Sequence, residues 1–113
     1  MNIPLSKLRR DGATLYLSGE LGFDAHGKIP DGIRAQTENC IANIKATLAK
    51  EGLDLSDVLS CTCYLTDAAD FPIFNEVYAA AFPQPYPVRT TVGVFLMLDA
   101  KVEITVIARD RNQ

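Results

Sequence analysis

Arg89 is the side chain in this sequence best suited to bind an anion. Around it, Val88, Thr90 and Val92 alternate with Arg89 and Thr91, which predicts a strand with one apolar face and the arginine on the opposite face. That strand carries no other charge, and an unpaired charge is costly to bury. Arg89 therefore needs an anionic partner, which is either a carboxylate of the protein or a ligand; the residues themselves leave both open.

Glu103 is the carboxylate in the last strand with a matching pattern. Residues 102–108 alternate in the same way, so Glu103 is also expected to point away from an apolar face. If these two strands formed a hairpin turning near Asp99, Glu103 would pair near Phe95, and Arg89 would lie roughly 20 Å further along at ~3.3 Å per residue. If the strands are not neighbours, the distance depends on an unknown register. A direct salt bridge within one chain is therefore not favoured.

The chain has few other residues with typical catalytic or metal-binding chemistry. Its cysteines are Cys40, Cys61 and Cys63, and its single histidine, His26, lies in a turn-rich stretch. An odd number of cysteines without a secretory signal favours reduced thiols, which we expect to be buried. We expect His26 to be exposed at the tip of its turn. We expect no metal site, because four good zinc ligands are hard to find here.

Size and charge narrow the protein class. A chain of 113 residues is expected to form one domain, residues 1–113. A net charge of -3 and a pI near 5.0 argue against nucleic acid as a partner, because that binding depends on lysine and arginine. No apolar stretch approaches the ~18–20 residues of a membrane span, and the N-terminus lacks a signal-peptide pattern. We therefore expect a soluble cytoplasmic protein.

Two helices are predicted from capping residues and apolar spacing. Asp31 is expected to cap the first helix, and Gly52 to end it with Leu53 packed back on the last turn. Asp67 and Asp70 open a shorter helix, which continues through Phe82. The predicted buried positions are Ile33, Cys40, Ile41, Ile44 and Leu48 in the first helix, and Phe71, Phe74, Tyr78, Ala81 and Phe82 in the second.

Strands are predicted on both sides of these helices. Residues 5–10 and 14–18 flank an Asp11-Gly12 turn, residues 57–66 follow the first helix, and the Arg89 and Glu103 strands come last. In residues 57–66 we expect Leu59, Cys61, Cys63 and Leu65 to share one face. The order indicates an α+β fold with both helices on one face of a single sheet. The other face would stay partly apolar, which favours burial against further copies of the chain.

A set of short motifs, taken in order along the chain, is more specific than any of these patterns. The motifs are Leu15-Tyr16-Leu17-Ser18-Gly19, Asn43-Ile44-Lys45, Tyr64-Leu65-Thr66-Asp67, Asp70-Phe71, Asn75-Glu76-Val77-Tyr78, Pro87-Val88-Arg89-Thr90 and Val102-Glu103-Ile104. Together they resemble the Rid family, also called the YjgF/YER057c/UK114 family, over nearly the whole chain. The resemblance implies a chorismate-mutase-like α+β fold with core strand order 1-4-2-3. It also implies a homotrimer with its sites in clefts between subunits.

The resemblance further implies an enamine/imine deaminase, which hydrolyses intermediates of the 2-aminoacrylate or 2-iminopropanoate type to 2-keto acids and ammonia. Arg89 would then bind the substrate carboxylate as a bidentate fork, and Glu103 would orient or activate the attacking water. Backbone hydrogen bonds would come from Gly19, with Ser18 beside it. Asn75 and Thr91 would line the cleft. No metal or organic cofactor is implied.

The chain departs from the family pattern at several of these positions. Leu5 stands where many deaminases of the family have a cleft tyrosine, Thr91 where cysteine is common, and Glu20 where glutamine usually follows Ser-Gly. The usual Leu-Pro of the penultimate loop is missing from residues 95–98. Two other functions are therefore kept: a non-catalytic trimer that binds small carboxylates, and an endoribonuclease, which the acidic pI disfavours.

Overall fold

The sheet is built from strands that alternate apolar and polar residues, and two helices cover one of its faces. The computed structural model describes residues 2–113. The described elements are β1 (Leu8–Asp11), β2 (Thr14–Leu17), β3 (Glu20–Leu21), α1 (Ile33–Ala49), β4 (Val58–Leu65), α2 (Phe71–Ala81), β5 (Val88–Gly93) and β6 (Val102–Arg109), with short 3-10 turns at Leu55–Asp57 and Ala68–Asp70.

The strand order is β1-β2-β6-β4-β5, and β3 pairs with the remaining part of β6. Only β4 and β5 run parallel; the other pairs are antiparallel. Counting β2, β4, β5 and β6 as the core strands gives the expected order 1-4-2-3. The predicted α+β architecture, with two helices packed on a mixed sheet, is therefore confirmed.

The face of the sheet that turns away from the helices is called here the open face. On the helix side, Cys61, Cys63 and Ile104 are almost completely buried, whereas on β5 Val88 is 71% exposed. Arg89 is the register partner of Cys61 and therefore lies on the helix side. The alternation predicted for β5 is correct, and its apolar valines lie on the open face. A partly apolar open face was expected and is present.

A β-bulge corrects the predicted faces of β4. The register shifts between Val58 and Ser60, so that Val58 is buried while Leu59 is 52% exposed. Leu59 therefore does not share a face with Cys61, as strict alternation from residue 57 would require. An extra residue in one strand moves each preceding side chain of that strand to the opposite face of the sheet.

The first helix ends as predicted but begins differently. Gly52 has φ of 73°, and the amides of Gly52 and Leu53 donate to the carbonyls of Ala49 and Leu48 at 3.0 Å each, which is a Schellman end. At the other end, Gly32 is the N-cap and no side chain caps the helix. The predicted Asp31 cap is therefore wrong, because the chain enters the helix through a glycine with φ of 87°.

The second helix buries fewer aromatic side chains than predicted. Phe74, Val77, Tyr78 and Phe82 are buried, while Ala81 is exposed and Phe71 is 41% exposed. Phe71 belongs to the first turn of α2 and lies over β5, which is the edge strand of the sheet. Nothing among residues 2–113 covers it from the far side. No helix in this described range is long and apolar enough to cross a membrane.

Candidate functional site

Arg89 lies on the helix side of the edge strand β5, against three aromatic rings of α2. Its guanidinium carbon is 4.8 Å from the ring centroid of Tyr78, 5.5 Å from that of Phe74 and 5.7 Å from that of Phe71. Ring faces attract a cation, but they do not accept the directional hydrogen bonds that five N–H donors can make. The rings therefore hold the guanidinium in place and leave its donors available.

Arg89 has no anionic partner within the described part of the chain. The salt bridges of residues 2–113 all involve other arginines and lysines. Tyr78 and the thiols of Cys61 and Cys63 are titratable groups beside Arg89, and burial raises the pKa of all three, that of Cys63 to about 12. Neutral thiols cannot balance the arginine. The predicted buried, unpaired cysteines are confirmed.

Three buried polar atoms near Arg89 also lack a hydrogen-bond partner within residues 2–113. They are Asn75 Oδ1, the Tyr78 hydroxyl and Thr91 Oγ1. The thiol of Cys61 lies beside the Tyr78 hydroxyl and that of Cys63 beside the Thr91 hydroxyl, and a thiol is a weak partner. Buried polar atoms are normally satisfied, so this cluster indicates that something else binds here.

A cavity of about 300 Å³ opens next to this cluster and is lined by Asn75, Tyr78, Ala79, Tyr86, Pro87 and Arg89. Thr91 lines the neighbouring depression beside Phe71 and Gly93. The structure therefore brings Arg89, Asn75 and Thr91 into one region, as their proposed roles require. We call Arg89, Asn75, Tyr78 and Thr91 the arginine half-site.

Glu103 lies on the open face of β6, directly against the backbone of Gly19. A Cβ at residue 19 would overlap Glu103 Oε2 and lie 2.9 Å from Cδ, so only glycine leaves room for this carboxyl group. Burial raises the pKa of Glu103, and the nearby charge of Glu20 raises it further. A carboxyl group with a raised pKa is a better base when ionised. The sequence placed Gly19 and Glu103 in one site, and the structure brings them together.

Ser18 supports the chain segment beside Glu103. Its hydroxyl donates to the Ser6 carbonyl at 2.6 Å, and its amide donates to the Lys7 carbonyl at 3.1 Å. Lys7 Nζ in turn contacts both carboxylate oxygens of Glu20 at 3.3 Å. The hydroxyl proton of Ser18 is thus used to brace the N-terminal segment. We call Glu103, Gly19, Ser18, Glu20 and Lys7 the glutamate half-site.

The two half-sites are separated within one chain. Arg89 is level with Cys61 of β4, whereas Glu103 is level with Tyr64, and β4 lies between their strands. Two strand spacings and three residues put their Cα atoms on the order of 14 Å apart. The two side chains also point to opposite faces of the sheet. The matching sequence patterns had suggested that both would point to the same face. A direct ion pair within the chain is excluded.

Sequence reasoning missed two features of these half-sites. Phe74 and Tyr78 were predicted only as core residues, although aromatic residues at i, i+3 and i+7 of α2 also form the support for Arg89. The Lys7–Glu20 pair had no local signal, because the residues belong to different strands or segments. His26 is exposed, as expected. No group of three histidine, cysteine or acidic side chains within residues 2–113 could hold a metal ion.

Comparisons with known proteins identify relatives of this chain. The family model described as endoribonuclease L-PSP matches residues 3–110. Reactive Intermediate Deaminase A, chloroplastic, from Arabidopsis thaliana is 40% identical over 108 residues, covering 93% of this chain and 58% of that protein. The 2-iminobutanoate/2-iminopropanoate deaminase of Dermatophagoides farinae is 35% identical over 104 residues, covering 89% of this chain and 81% of that protein. This chain thus spans less than two thirds of the chloroplast relative.

Solved structures share the same fold. RidA from an Antarctic Psychrobacter bacterium superposes with a TM-score of 0.91 at 39% identity, covering 94% of this chain and 88% of that chain. TdcF from E. coli with bound serine superposes with a TM-score of 0.87 at 31% identity, covering 96% of this chain and 90% of that chain. Both similarities extend over nearly the full length of the sheet and helices described above.

Proposed function

This chain belongs to the Rid family, and we propose that it is an enamine/imine deaminase that acts on small intermediates of the 2-aminoacrylate or 2-iminopropanoate type. The observation that carries the proposal is the arginine half-site, where a guanidinium without a carboxylate partner lies beside unsatisfied polar atoms. A small substrate with a carboxylate would supply what this region lacks. The deaminase names of two relatives support the reaction type.

In the proposed reaction, Arg89 binds the substrate carboxylate through two parallel N–H···O hydrogen bonds. Water adds to the imine carbon while Glu103 accepts one of its protons. In the resulting carbinolamine, Glu103 returns that proton to the nitrogen, the C–N bond breaks and ammonia leaves. The hydroxyl proton passes back to Glu103 as the C=O bond of the 2-keto acid forms. Because an iminium carbon is already electrophilic, positioning and one base are sufficient and no metal or organic cofactor is required.

We propose that the complete site forms between two chains of a homotrimer. Arg89 and Glu103 are too far apart in one chain to contact one small substrate, and they face opposite sides of the sheet. Pairing the arginine half-site of one chain with the glutamate half-site of its neighbour removes this difficulty. Association also buries the partly apolar open face. The reduced thiols favour a reducing compartment such as the cytoplasm.

A second candidate function is a non-catalytic trimer that binds small carboxylates. It is favoured by the structural relative that holds serine, a molecule with a carboxylate. Saturable binding of pyruvate without any acceleration of imine hydrolysis would support it. Endoribonuclease activity, which the family description names, is disfavoured by the net charge of -3, since RNA binding depends on basic side chains.

Arg89→Ala tests the proposed deaminase. Loss of a charged, desolvated partner typically costs about 2–5 kcal/mol, so kcat/KM for imine hydrolysis should fall by roughly a hundredfold or more. The fold should persist, because the change removes a charge that has no ion-pair partner within the described chain. A coupled assay that consumes the 2-keto acid measures the rate, and size-exclusion chromatography checks the assembly.

Arg34→Ala is the matched control. This arginine lies on the helix surface and pairs with Glu76 at 3.0 Å, with both side chains mostly exposed, and such pairs contribute ~0–1 kcal/mol. It should leave the rate unchanged. An Arg89→Ala protein as active as the parent would contradict the mechanism.

A further inference from the structure

A broad cavity of about 550 Å³ opens beside the glutamate half-site, and its lining includes Leu5, Arg9, Tyr16 and Ser18. The proposed reaction uses neither this space nor its arginine. We propose that the cavity binds the side chain of the substrate and that Arg9 binds a second carboxylate there. The preferred substrates are then imines of dicarboxylic amino acids, of the 2-iminosuccinate or 2-iminoglutarate type. The inference rests on the proposed deaminase and narrows its substrate class.

The strand register puts Arg9 on the same face of the sheet as Glu103. Arg9 is the register partner of Tyr16, and Tyr16 is the partner of Ile107. Directly paired residues of antiparallel strands have their side chains on one face, and so do residues four apart on one strand. Arg9, Ile107 and Glu103 therefore all lie on the open face, whereas Arg89 lies on the helix side.

Ser18 connects the cavity to the proposed base. It lines the same cavity as Arg9, and the next residue, Gly19, contacts the carboxylate of Glu103 so closely that a Cβ there would overlap it. The Ser18 amide donates to the Lys7 carbonyl at 3.1 Å, so the pairing of β1 and β2 extends to Ser18. Arg9 and Ser18 are then diagonal neighbours, with Cα atoms about 7–8 Å apart. A substrate that reacts beside Glu103 can therefore extend its side chain past Ser18 toward Arg9.

The charge of Arg9 suits an anionic side chain. Arg9 is exposed, and no salt bridge of residues 2–113 involves it, although Asp11 lies two residues away on the same strand. Ionised Glu103 would repel a second carboxylate on the substrate if no cation lay nearby. A guanidinium supplies that cation and binds a carboxylate through two parallel N–H donors. Arg9 therefore favours an anionic side chain over an apolar one of the same length.

The apolar part of the cavity suits the methylene groups of such a substrate. Leu5 is 56% exposed and Tyr16 is 48% exposed, and both line the cavity beside Arg9. Methylene groups that lie against these side chains remove apolar surface from water. The two carboxylates are then bound by different subunits of the proposed trimer. Arg89 of one chain binds the carboxylate next to the imine, and Arg9 of its neighbour binds the distal one.

The ratio of kcat/KM for 2-iminoglutarate to that for 2-iminopropanoate, whose side chain is a methyl group, tests the proposal. An amino-acid oxidase releases each imine from its amino acid during the assay. The parent should favour 2-iminoglutarate, and Arg9→Gln should lower the ratio by roughly tenfold or more, as for loss of a charged hydrogen-bond partner. Arg9→Lys should keep part of the preference, since lysine keeps the charge but not the fork. A parent ratio of one or less, or an unchanged ratio in Arg9→Gln, overturns the proposal.

Arg109→Gln is the matched control. Arg109 is also exposed and forms no salt bridge within residues 2–113, and it lies on the open face two residues beyond Ile107. It lines a different cavity, beside Leu59 and Arg111. Its ratio should equal that of the parent. An equal fall of the ratio in both variants would reflect the net charge of the protein and would overturn the role of Arg9.

Calorimetric binding of 2-oxoglutarate and pyruvate separates this inference from the proposed function, because binding of these 2-keto acids requires no hydrolysis. If no imine is hydrolysed, tighter binding of 2-oxoglutarate than of pyruvate, lost in Arg9→Gln, still supports a second carboxylate site. If 2-iminopropanoate is hydrolysed and 2-iminoglutarate is not preferred, the deaminase stands and the role of Arg9 fails. The same relative affinity for the two acids in the parent and in Arg9→Gln also overturns it.

Discussion

The two half-sites are constructed in different ways, and the difference indicates which of them binds and which performs chemistry. The arginine half-site rests on a strand and a helix, with Arg89 held over the rings of Phe74 and Tyr78. In the glutamate half-site, Glu103 also lies on a regular strand, β6, but the segment packed against it is a two-residue strand with an N-terminal coil, held by Ser18 and the Lys7–Glu20 pair. Rigid elements on both sides of the arginine suit precise recognition of a ligand group.

Hydrogen-bond satisfaction shows the same contrast. In the arginine half-site, Asn75, Tyr78 and Thr91 each leave a buried polar atom without a partner in the described chain. In the glutamate half-site, Glu20 is paired with Lys7 and Ser18 with Ser6. Unsatisfied buried groups cost free energy that a matching ligand recovers. Most of the binding free energy should therefore come from the arginine half-site, while the glutamate half-site handles the proton.

Mixing two inactive variants provides the strongest test of this division. Arg89→Ala and Glu103→Gln chains, unfolded together and reassembled, should regain activity, because some neighbouring pairs then combine an intact arginine half-site with an intact glutamate half-site. For random assembly this holds for about a quarter of the sites. Activity of the mixture should therefore rise from background to about a quarter of the parent value, measured by the same coupled assay.

Each variant reassembled alone is the control for that experiment and should stay inactive. If the mixture also stays inactive while mass spectrometry shows mixed assemblies, the two half-sites do not meet between chains. The proposal that one subunit supplies the binding half-site and its neighbour the half-site for proton transfer would then be wrong.

The fold was largely predictable from sequence because its strong signals are local. Neighbouring residues determine the alternation in β4, β5 and β6 and the end of α1 at a glycine. The strand order came from the motif resemblance. The errors arose where tertiary context decides. The bulge at Val58 and Ser60 inverted the facing of Leu59. The register of β5 against β4, which pairs Arg89 with Cys61, put Arg89 and Glu103 on opposite faces of the sheet.

The candidate site was only partly predictable, since side-chain environment is not written in any local pattern. Arg89, Asn75 and Thr91 do lie in one region, and Gly19 lies against Glu103. The separation of the two regions depended on the register of β4 against β5 and β6, which no sequence pattern specifies. The roles assigned to these residues stay predictions until the variants are measured.

Gly19→Ala should affect the glutamate half-site alone and sharpen the contrast between activity and stability. The new methyl group would overlap the Glu103 carboxylate and displace it, and a displacement of about 1 Å can cost roughly a hundredfold in rate. We expect kcat/KM to fall by roughly tenfold to a hundredfold. Stability should change by less than about 1 kcal/mol, because the end of a flexible side chain can move and Gly19 does not need the left-handed region.

Two further variants provide comparisons for the effect of Gly19→Ala. Gly22→Ala should instead lower stability, because its Cβ would lie 2.8 Å from the Cα of Gln36 in the backbone of α1, which cannot easily move. Glu103→Asp in the Gly19→Ala background shortens the displaced side chain and should cost less than it does in the parent. Thermal unfolding and steady-state rates measure both. Equal losses of activity and stability in Gly19→Ala would show that this glycine serves only packing.

The smallest expected effect is on stability, and it concerns the raised pKa of Glu103. Burial and the charge of Glu20 raise this pKa, so in the range above the ordinary glutamate value the folded state retains a proton that the unfolded state has lost. Folding stability therefore decreases as pH rises through that range, and the full penalty is present above the raised pKa. Glu103→Gln removes the penalty and should be more stable than the parent at neutral pH.

The gain should stay within about 1 kcal/mol, since solvent screens a half-buried carboxylate, and it should vanish as pH falls below the ordinary glutamate range, where both states are protonated. Urea unfolding of the two proteins across this pH range measures it. A substitution that inactivates the enzyme while stabilising it would show that the glutamate half-site is maintained at the expense of stability. A Glu103→Gln protein that is less stable at neutral pH, or a difference independent of pH, would assign Glu103 a structural role instead.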